Sequence, residues 1–352
     1  MDVAVVGFAE APRRRHPEAT TNGVEMLVPV FQEVLASTGL SRREIGFWCS
    51  GSSDYLAGRA FSFVTAVDAI GAFPPIAESH VEMDAAWALY EAYLKILGGD
   101  AETALVYGFG KSSAGDLRRI LALQLDPYLV APLWPDSVSV AALQARFGLD
   151  AGLWSEKEMA EVAVRSRAAA SADPGAHLSG TVTIEDLLAT PYLADPLRAH
   201  DCAPISDGAA AVILARGDVA RRLCPRPAFI TGFAHSVDSP GLGVRDLGTA
   251  PSATAAALAA GLGSGAPIEV AELHAPFTHQ EILLRRALGL DDRVRINPSG
   301  GVLAGNPMFA AGLARVGHAA RQIIAGHAAA ALGHATSGPA LQQNLVVVME
   351  AA

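Results

Sequence analysis

Three polar side chains in this sequence stand at the ends of predicted strands or beside a predicted helix, where they could move protons or stabilise negative charge. His274 follows the apolar run Ile268–Leu273, and its imidazole suits a general base or a hydrogen-bond donor, although a core histidine would follow a buried strand equally well. Asn306 precedes Pro307, a preferred first residue of helices, so its amide either binds a ligand or caps a helix. His334 ends another apolar strand and either lines a pocket or lies in the core.

Two carboxylates, Glu82 and Asp84, stand at the start of a helix predicted near Met83–Leu97. They could supply a proton to a reaction in a neighbouring pocket. Acidic residues in the first turn of a helix are more commonly caps and partners of the helix dipole. The sequence leaves both roles open for these two residues.

Alternating apolar strands and Ala-rich helices must position these groups. The order helix, glycine stop, apolar strand occurs twice, at Ala85–Gly108 and again at Met308–Gly333, which predicts an internal duplication. Between about residues 112 and 199, prolines interrupt the pattern and predict an excursion from the sheet. We therefore predict an α/β protein with a first half at 1–217, which contains the inserted segment 112–199, and a second half at 218–352.

The composition excludes several classes of function. The 352 residues, 51% hydrophobic and 18% charged, describe a globular chain long enough for two domains. The net charge of -10 argues against nucleic acid as the main partner. There is no uninterrupted run of about 18 strongly apolar residues, so a spanning helix is not expected. The segment Met1–Gly7 resembles a strand rather than a signal peptide, which predicts a cytoplasmic protein.

The three cysteines, Cys49, Cys202 and Cys224, are sparse and odd in number, as is usual in a reducing compartment. They form no CxxC pair and no cluster with histidines at the spacing of metal ligands, so no metal site is expected. Cys202 and Cys224 are interpreted as small buried apolar side chains.

Four motifs, in order along the chain, carry a family resemblance. They are Leu105–Lys111 (LVYGFGK), Pro204–Ala211 (PISDGAAA), Glu272–Phe277 (ELHAPF) and Asn297–Gly301 (NPSGG). Each motif alone is a weak signal, but the ordered set covers most of the chain. The set resembles the thiolases, in the branch of the sterol-carrier-protein and lipid-transfer-protein thiolases.

The resemblance implies a thiolase fold, which is a five-layer αβαβα arrangement of two similar halves with a loop domain inserted in the first. It also implies a CoA-thioester substrate, no metal or redox cofactor, and a homodimer. The loops Ser299-Gly300-Gly301 and Ser337-Gly338 are implied to bind the substrate, since glycine permits close approach of the backbone.

The catalytic pattern of the family is incomplete in this sequence. The stretch Glu78–Trp87, where the resemblance places the acyl-enzyme cysteine at a helix N-terminus, contains no cysteine. Asn306 stands where the family has a histidine, and Pro276 stands where it has a further cysteine. Claisen chemistry through an acyl-cysteine is therefore not expected.

Some cysteine-free homologues in this branch are steroid side-chain aldolases, which work with a small partner carrying an OB fold and a zinc ribbon. The resemblance thus implies retro-aldol cleavage of a β-hydroxyacyl-CoA with a steroid or other bulky side chain, giving a ketone and a short acyl-CoA. His274 and Asn306 would handle the proton and the enolate oxygen. Two alternatives stay open. One is an acyl-CoA acyltransferase of the acetyl-CoA acetyltransferase kind with another nucleophile, and the other is a non-catalytic thiolase-like subunit bound to an OB-fold/zinc-ribbon protein.

Overall fold

The computed structural model describes residues 2–14, 23–57, 61–123 and 125–352. The helices are α1 Gly23–Thr38, α2 Asp54–Ala57, α3 Ser62–Ile70, α4 Ala85–Leu97, α5 Leu117–Ala122, α6 Ser137–Asp150, α7 Glu156–Ala169, α8 Ile184–Leu188, α9 Gly217–Leu223, α10 Pro251–Ala259, α11 Thr278–Ala287 and α12 Ala311–Ile324. The strands are β1 Val3–Glu10, β2 Phe47–Gly51, β3 Glu78–Val81, β4 Thr103–Lys111, β5 Tyr192–Ala194, β6 Leu197–Arg198, β7 Ile205–Arg216, β8 Ala228–Val237, β9 Val270–Glu272, β10 Arg295–Ile296, β11 Asn306–Pro307, β12 Ala330–Ser337 and β13 Gln343–Ala351. Within these ranges, no helix is both long and apolar enough to cross a membrane.

The main sheet is built from two halves with the same strand order. Outward from the junction of β1 and β8, the first half runs β1-β7-β4-β2-β3 and the second runs β8-β13-β12-β9-β10. In each half the two inner pairs are antiparallel and the two outer pairs are parallel. The matching order and direction confirm the predicted duplication.

The layers follow from the alternation of side chains along the strands. On β1, Val3 and Val5 belong to a central core that also contains residues of α4 and α12, whereas Ala4 and Val6 belong to an outer core with α1. A third core packs α10 and α11 on the outer side of the second half. Helix, sheet, helix pair, sheet and helix follow one another, so the predicted five-layer αβαβα arrangement is confirmed.

The chain between β4 and β7 forms the predicted excursion from the sheet. It contains α5, α6, α7, α8 and the short antiparallel pair of β5 and β6. Although it belongs to the first half in sequence, Ala141, Trp154 and Met159 of this segment lie in the core of the second half. The excursion therefore covers the second half and can contribute side chains to a site between the two. The exact domain boundaries stay a prediction.

One predicted helix start is wrong, and it concerns a candidate site residue. The sequence predicts a helix from Pro307 and leaves Asn306 either as its cap or as a ligand-binding group. Instead, these two residues form β11, which pairs in parallel with Ile205 and Ser206 of β7. Phe309 has a φ of +68°, which interrupts any continuous helical turn, and α12 begins only at Ala311. Asn306 is therefore held in an extended backbone and does not cap a helix.

Candidate active site

A cavity of about 550 Å³ is lined by residues of both halves and of the inserted segment. Its polar lining includes Asp84, His177, His274, Asn306 and Thr336. Much of the remaining wall is apolar and comes from the inserted segment, including Leu117, Leu121, Leu125, Val138, Val140 and Leu178. A space of this size, mostly apolar with a few polar groups, suits an organic ligand.

His274 follows β9 and reaches the cavity with its imidazole almost wholly buried. Burial lowers the pKa of His274 to about 3, and the neighbouring His334 and Arg315 contribute in the same direction, whereas Asn306 opposes them. The ring is therefore neutral near pH 7. Its Nδ1 accepts a long hydrogen bond of 3.5 Å from the Thr336 N–H, so the ring proton is on Nε2. A neutral imidazole of this kind donates a hydrogen bond better than it accepts a proton.

Asn306 lines the cavity beside His274. Its backbone N–H donates to Ser206 Oγ over 3.3 Å, and its backbone is further fixed by β-pairing with Ile205. The side-chain Oδ1 is buried and has no hydrogen-bond partner among the described residues. The structure thus brings together two predicted site residues, His274 and Asn306. The donors that could hold one ligand oxygen here are the His274 Nε2–H and the Asn306 Nδ2–H groups, not the Asn306 Oδ1, which is an acceptor.

Asp84 occupies the N-terminus of α4 at the cavity wall and is 5% exposed. Its carboxylate accepts hydrogen bonds from the N–H groups of Ala86 at 2.9 Å, Gly312 at 2.9 Å and Leu313 at 3.0 Å. Burial raises the pKa of Asp84, and the three backbone donors oppose that shift. The helix begins at Ala85, two residues later than the sequence predicts, with Asp84 as its N-cap.

Glu82 and His334 do not reach the cavity wall. Glu82 is exposed, and its Oε1 accepts a hydrogen bond from the Asp54 N–H over 2.8 Å. His334 is fully buried, with Nε2 3.0 Å from Asn344 Oδ1, and the Asn344 amide in turn donates to the Leu341 carbonyl oxygen over 2.9 Å. His334 is thereby connected to the loop at Leu341, which does line the cavity.

The two predicted substrate loops lie in different places. Ser337 and Gly338 line the cavity. The loop of Ser299, Gly300 and Gly301 lies behind the wall, where the Ser299 N–H and hydroxyl donate to the two oxygens of Glu272 over 2.9 and 2.7 Å. Gly300 has a φ of +88°, and a Cβ there would lie 2.7 Å from Ala170 Cβ, so its glycine is needed for internal packing.

His177 lines the cavity from the inserted segment, although no sequence motif marks it as a site residue. Its backbone N–H donates to the Ala304 carbonyl oxygen over 2.8 Å. Its Nδ1 is 3.4 Å from Ser206 Oγ, and that hydroxyl donates to the Pro204 carbonyl oxygen over 3.2 Å. Because the hydroxyl has a single proton, its oxygen accepts from Nδ1–H, and the lone pair of His177 is on Nε2.

Cys202 also lines the cavity, although the sequence favours a buried apolar role. Burial, with a smaller contribution from Asp201, raises the pKa of Cys202 to about 12. Burial likewise raises the pKa of Cys49 on β2. Neither thiol is poised to form the thiolate that acyl transfer requires.

We expect Cys202→Ala to leave any catalytic activity of the cavity within about twofold of the wild type in kcat/KM, because burial keeps the thiol protonated at neutral pH. Cys224→Ala, at a buried position that is not among the cavity residues, is the matched control. Steady-state kinetics of the two variants check this expectation. A selective loss of activity in Cys202→Ala would identify this thiol as a nucleophile.

Three buried histidines predict a strong dependence of stability on pH. Desolvation lowers the pKa of His274 and His279 to about 3 and that of His334 to about 4, against 6.5 for the unperturbed group. Below pH 6.5 the unfolded chain binds these protons and the folded chain does not, so stability decreases as the pH falls. The slope approaches about 1.4 kcal/mol per pH unit for each histidine. Urea unfolding at pH 7, 6 and 5 measures this decrease, and a flat profile would contradict the burial of these rings.

Among the described residues, no group of three or more His, Cys, Asp and Glu side chains is arranged to hold a metal ion.

No family model matches the chain. An acetyl-CoA acetyltransferase of Methanothermobacter thermautotrophicus is 32% identical over 207 residues, which are 53% of this chain and 54% of that protein. The matched region thus spans about half the length of that relative.

Solved structures share the fold over the whole chain. One described as the Ltp2-ChsH2(DUF35) aldolase has a TM-score of 0.81 and 18% identity and covers 99% of this chain and 98% of its own. The human mitochondrial 3-ketoacyl-CoA thiolase has a TM-score of 0.79 and 18% identity and covers 100% of this chain and 99% of its own. The chain therefore has the fold of these thiolase-type structures, and about half of it is similar in sequence to an acetyl-CoA acetyltransferase.

Proposed function

We propose that this protein cleaves the Cα–Cβ bond of a β-hydroxyacyl-CoA by a retro-aldol reaction, giving a ketone and a short acyl-CoA. The observation that carries the proposal is the lining of the cavity. His274 and Asn306 are present to hold an enolate oxygen, while Asp84 stands at the helix N-terminus where an acyl-transferring enzyme of this fold would need a cysteine. A retro-aldol reaction needs the first pair and has no use for the cysteine.

In the proposed reaction, the thioester carbonyl oxygen accepts hydrogen bonds from His274 Nε2–H and from the Asn306 amide. His177 Nε2 takes the proton of the β-hydroxyl group, and the electron pair of that O–H bond forms the ketone C=O bond. The Cα–Cβ bond breaks, and its electron pair forms the enolate, whose oxygen the two donors stabilise. The proton then passes from His177 to Cα and completes the short acyl-CoA. No external oxidant, reductant or nucleophile is consumed.

The apolar wall supports a bulky acyl group as the substrate. Leu117, Leu121, Leu125, Val138 and Val140 of the inserted segment line the cavity and give an apolar surface for the acyl chain, beside Arg118, the one charged side chain among the described lining residues of that segment. Burial of such a group against these side chains contributes roughly 25 cal/mol per Å². Positioning of the substrate thus comes mainly from the inserted segment, and the chemistry comes from the two halves and His177.

Several further properties belong to the proposal. The second component in the name of the structural neighbour, ChsH2(DUF35), supports a partner protein for this chain. The family resemblance of the sequence implies that such a partner carries an OB fold and a zinc ribbon. We also propose a homodimer, a cytoplasmic location, no cofactor other than the CoA of the substrate, and no nucleic-acid partner. The net charge of -10 supports the last of these.

A product assay tests the proposal. Bulky acyl-CoAs are supplied as β-hydroxy and as β-keto thioesters, with and without free CoA, in the presence and absence of a candidate OB-fold partner, and the products are identified by mass spectrometry. We expect a ketone and a shortened acyl-CoA from the β-hydroxy substrates, without consumption of free CoA. Cleavage of the β-keto substrates that depends on free CoA would support the acyltransferase alternative, which the acetyl-CoA acetyltransferase relative favours. No product under any condition would favour the non-catalytic subunit.

A further inference from the structure

The two central helices, α4 and α12, begin at the same place. They hold equivalent positions in the two halves. Along the chain, α4 is followed by β4 and α12 by β12, and each of these strands is the third of its half, counted from the junction of β1 and β8. Their N-termini meet at Asp84, whose Oδ1 accepts from Ala86 of α4 and whose two oxygens accept from Gly312 and Leu313 of α12. One carboxylate therefore serves the unpaired N–H groups of both helices.

We propose that Asp84 is a positioning residue, whose carboxylate joins the N-termini of α4 and α12 and thereby fixes the turn that carries Asn306 beside His274. The inference goes beyond the proposed function, since the joining of the helices is independent of the reaction. Only the expected effect on kcat, which follows from the position of Asn306, rests on the retro-aldol proposal.

The turn between β11 and α12 is held at both ends by this arrangement. On one side, the Ala85 N–H at the first residue of α4 donates to the Phe309 carbonyl oxygen over 2.9 Å. On the other, Gly312 and Leu313, which follow the turn, donate to Asp84. The short chain from Asn306 to Ala311 is thus attached to α4 through two sets of contacts. Loss of the carboxylate would release one of the two.

The space around the carboxylate is fitted to a group of its size. A Cβ on Gly312 would lie 2.5 Å from Asp84 Oδ1 and 2.7 Å from Ala335 Cβ, so only glycine leaves room there. The partial positive charges of two helix N-termini favour an anion at this point, and burial of the carboxylate without them would be costly. The same N–H groups are consequently occupied and do not serve an oxyanion of the substrate.

Chemical rescue tests the proposal. Asp84→Gly removes the carboxylate and leaves a space that a formate ion can fill. We expect the variant to unfold at a temperature several degrees lower than the wild type, formate to raise that temperature in a saturable manner, and acetate and chloride to be less effective. In the variant, we expect kcat for the cleavage to fall by at least tenfold with KM less changed, and formate to restore it in part.

Asp136→Gly is the matched control, because the half-buried Asp136 caps only one helix, α6, through the Ser139 N–H at 2.7 Å. It should show no selective response to formate. If Asp84→Gly does not fold in buffer, its refolding yield from urea is compared in formate and in chloride. We then expect a higher yield in formate. Equal effects of formate and chloride on Asp84→Gly would overturn the proposal. A wild type without any cleavage activity would instead contradict the proposed function and leave the formate-dependent stability as the test of Asp84.

Discussion

The replacement His274→Ala should lower kcat for cleavage of a β-hydroxyacyl-CoA by about 10²- to 10³-fold, the usual loss when one oxyanion donor is removed. The reason is that His274, neutral with its pKa lowered to about 3 by burial, would donate Nε2–H to the developing enolate in the proposed reaction. His274→Gln keeps an N–H donor of similar reach and should recover part of the rate. Steady-state kinetics of the two variants measure the difference.

His279→Ala is the matched control for this prediction. His279 is also fully buried with its pKa lowered to about 3, but its Nε2 lies 3.2 Å from Gln144 Oε1 and it does not line the cavity. The control should lose stability as His274→Ala does, with kcat of the folded fraction little changed. Equal inactivity of His274→Ala and His274→Gln would indicate that His274 moves a proton and is not a hydrogen-bond donor to the enolate.

The second large effect is on stability, and it concerns the ion pair behind the cavity wall. Arg315 Nη1 is 2.7 Å from Glu272 Oε2 and 2.5 Å from Ser299 Oγ, and the side chains of Arg315 and Glu272 are 1% and 0% exposed. Arg315→Met would leave the Glu272 carboxylate buried without its cation. We expect a loss of about 3–5 kcal/mol in the free energy of unfolding, measured by urea titration.

The double variant Arg315→Met with Glu272→Gln tests the cause of that loss. Removing the second charge should restore part of the stability, because the cost comes from the unpaired charge and not from the missing contact alone. Arg293→Met, in the exposed pair with Asp291, should have no measurable effect. A double variant that is as unstable as the sum of the two single variants would contradict the ion-pair explanation.

The repeated pattern of helix, glycine and strand was sufficient to predict the duplicated layers, because hydrophobic periodicity and glycine stops are local properties. The helix start at Pro307 could not be predicted in the same way. Its outcome depends on the pairing of Asn306 and Pro307 with Ile205 and Ser206, about 100 positions earlier in the chain. Contacts over such distances leave no periodic signal in the sequence.

The candidate site was predictable in part for the same reason. His274 and Asn306 stand in motifs that resemble those of a family, and the structure places them side by side at the cavity. The NPSGG loop resembles the family equally well, but Ser299 is turned towards Glu272. His177 belongs to an irregular loop of the inserted segment, and nothing local marks it as a neighbour of Ser206. Its only sequence signal is a histidine in the excursion that must cover the site.

In the proposed function, this site breaks a carbon–carbon bond of an acyl-CoA without an acyl-enzyme. The most direct measurement supplies a bulky β-hydroxyacyl-CoA together with isotopically labelled free CoA and follows the label by mass spectrometry. We expect the ketone and an unlabelled short acyl-CoA in equal amounts, with no label in any thioester. Labelled acyl-CoA would show that an acyl group passes through the enzyme to free CoA, and the claim would be contradicted.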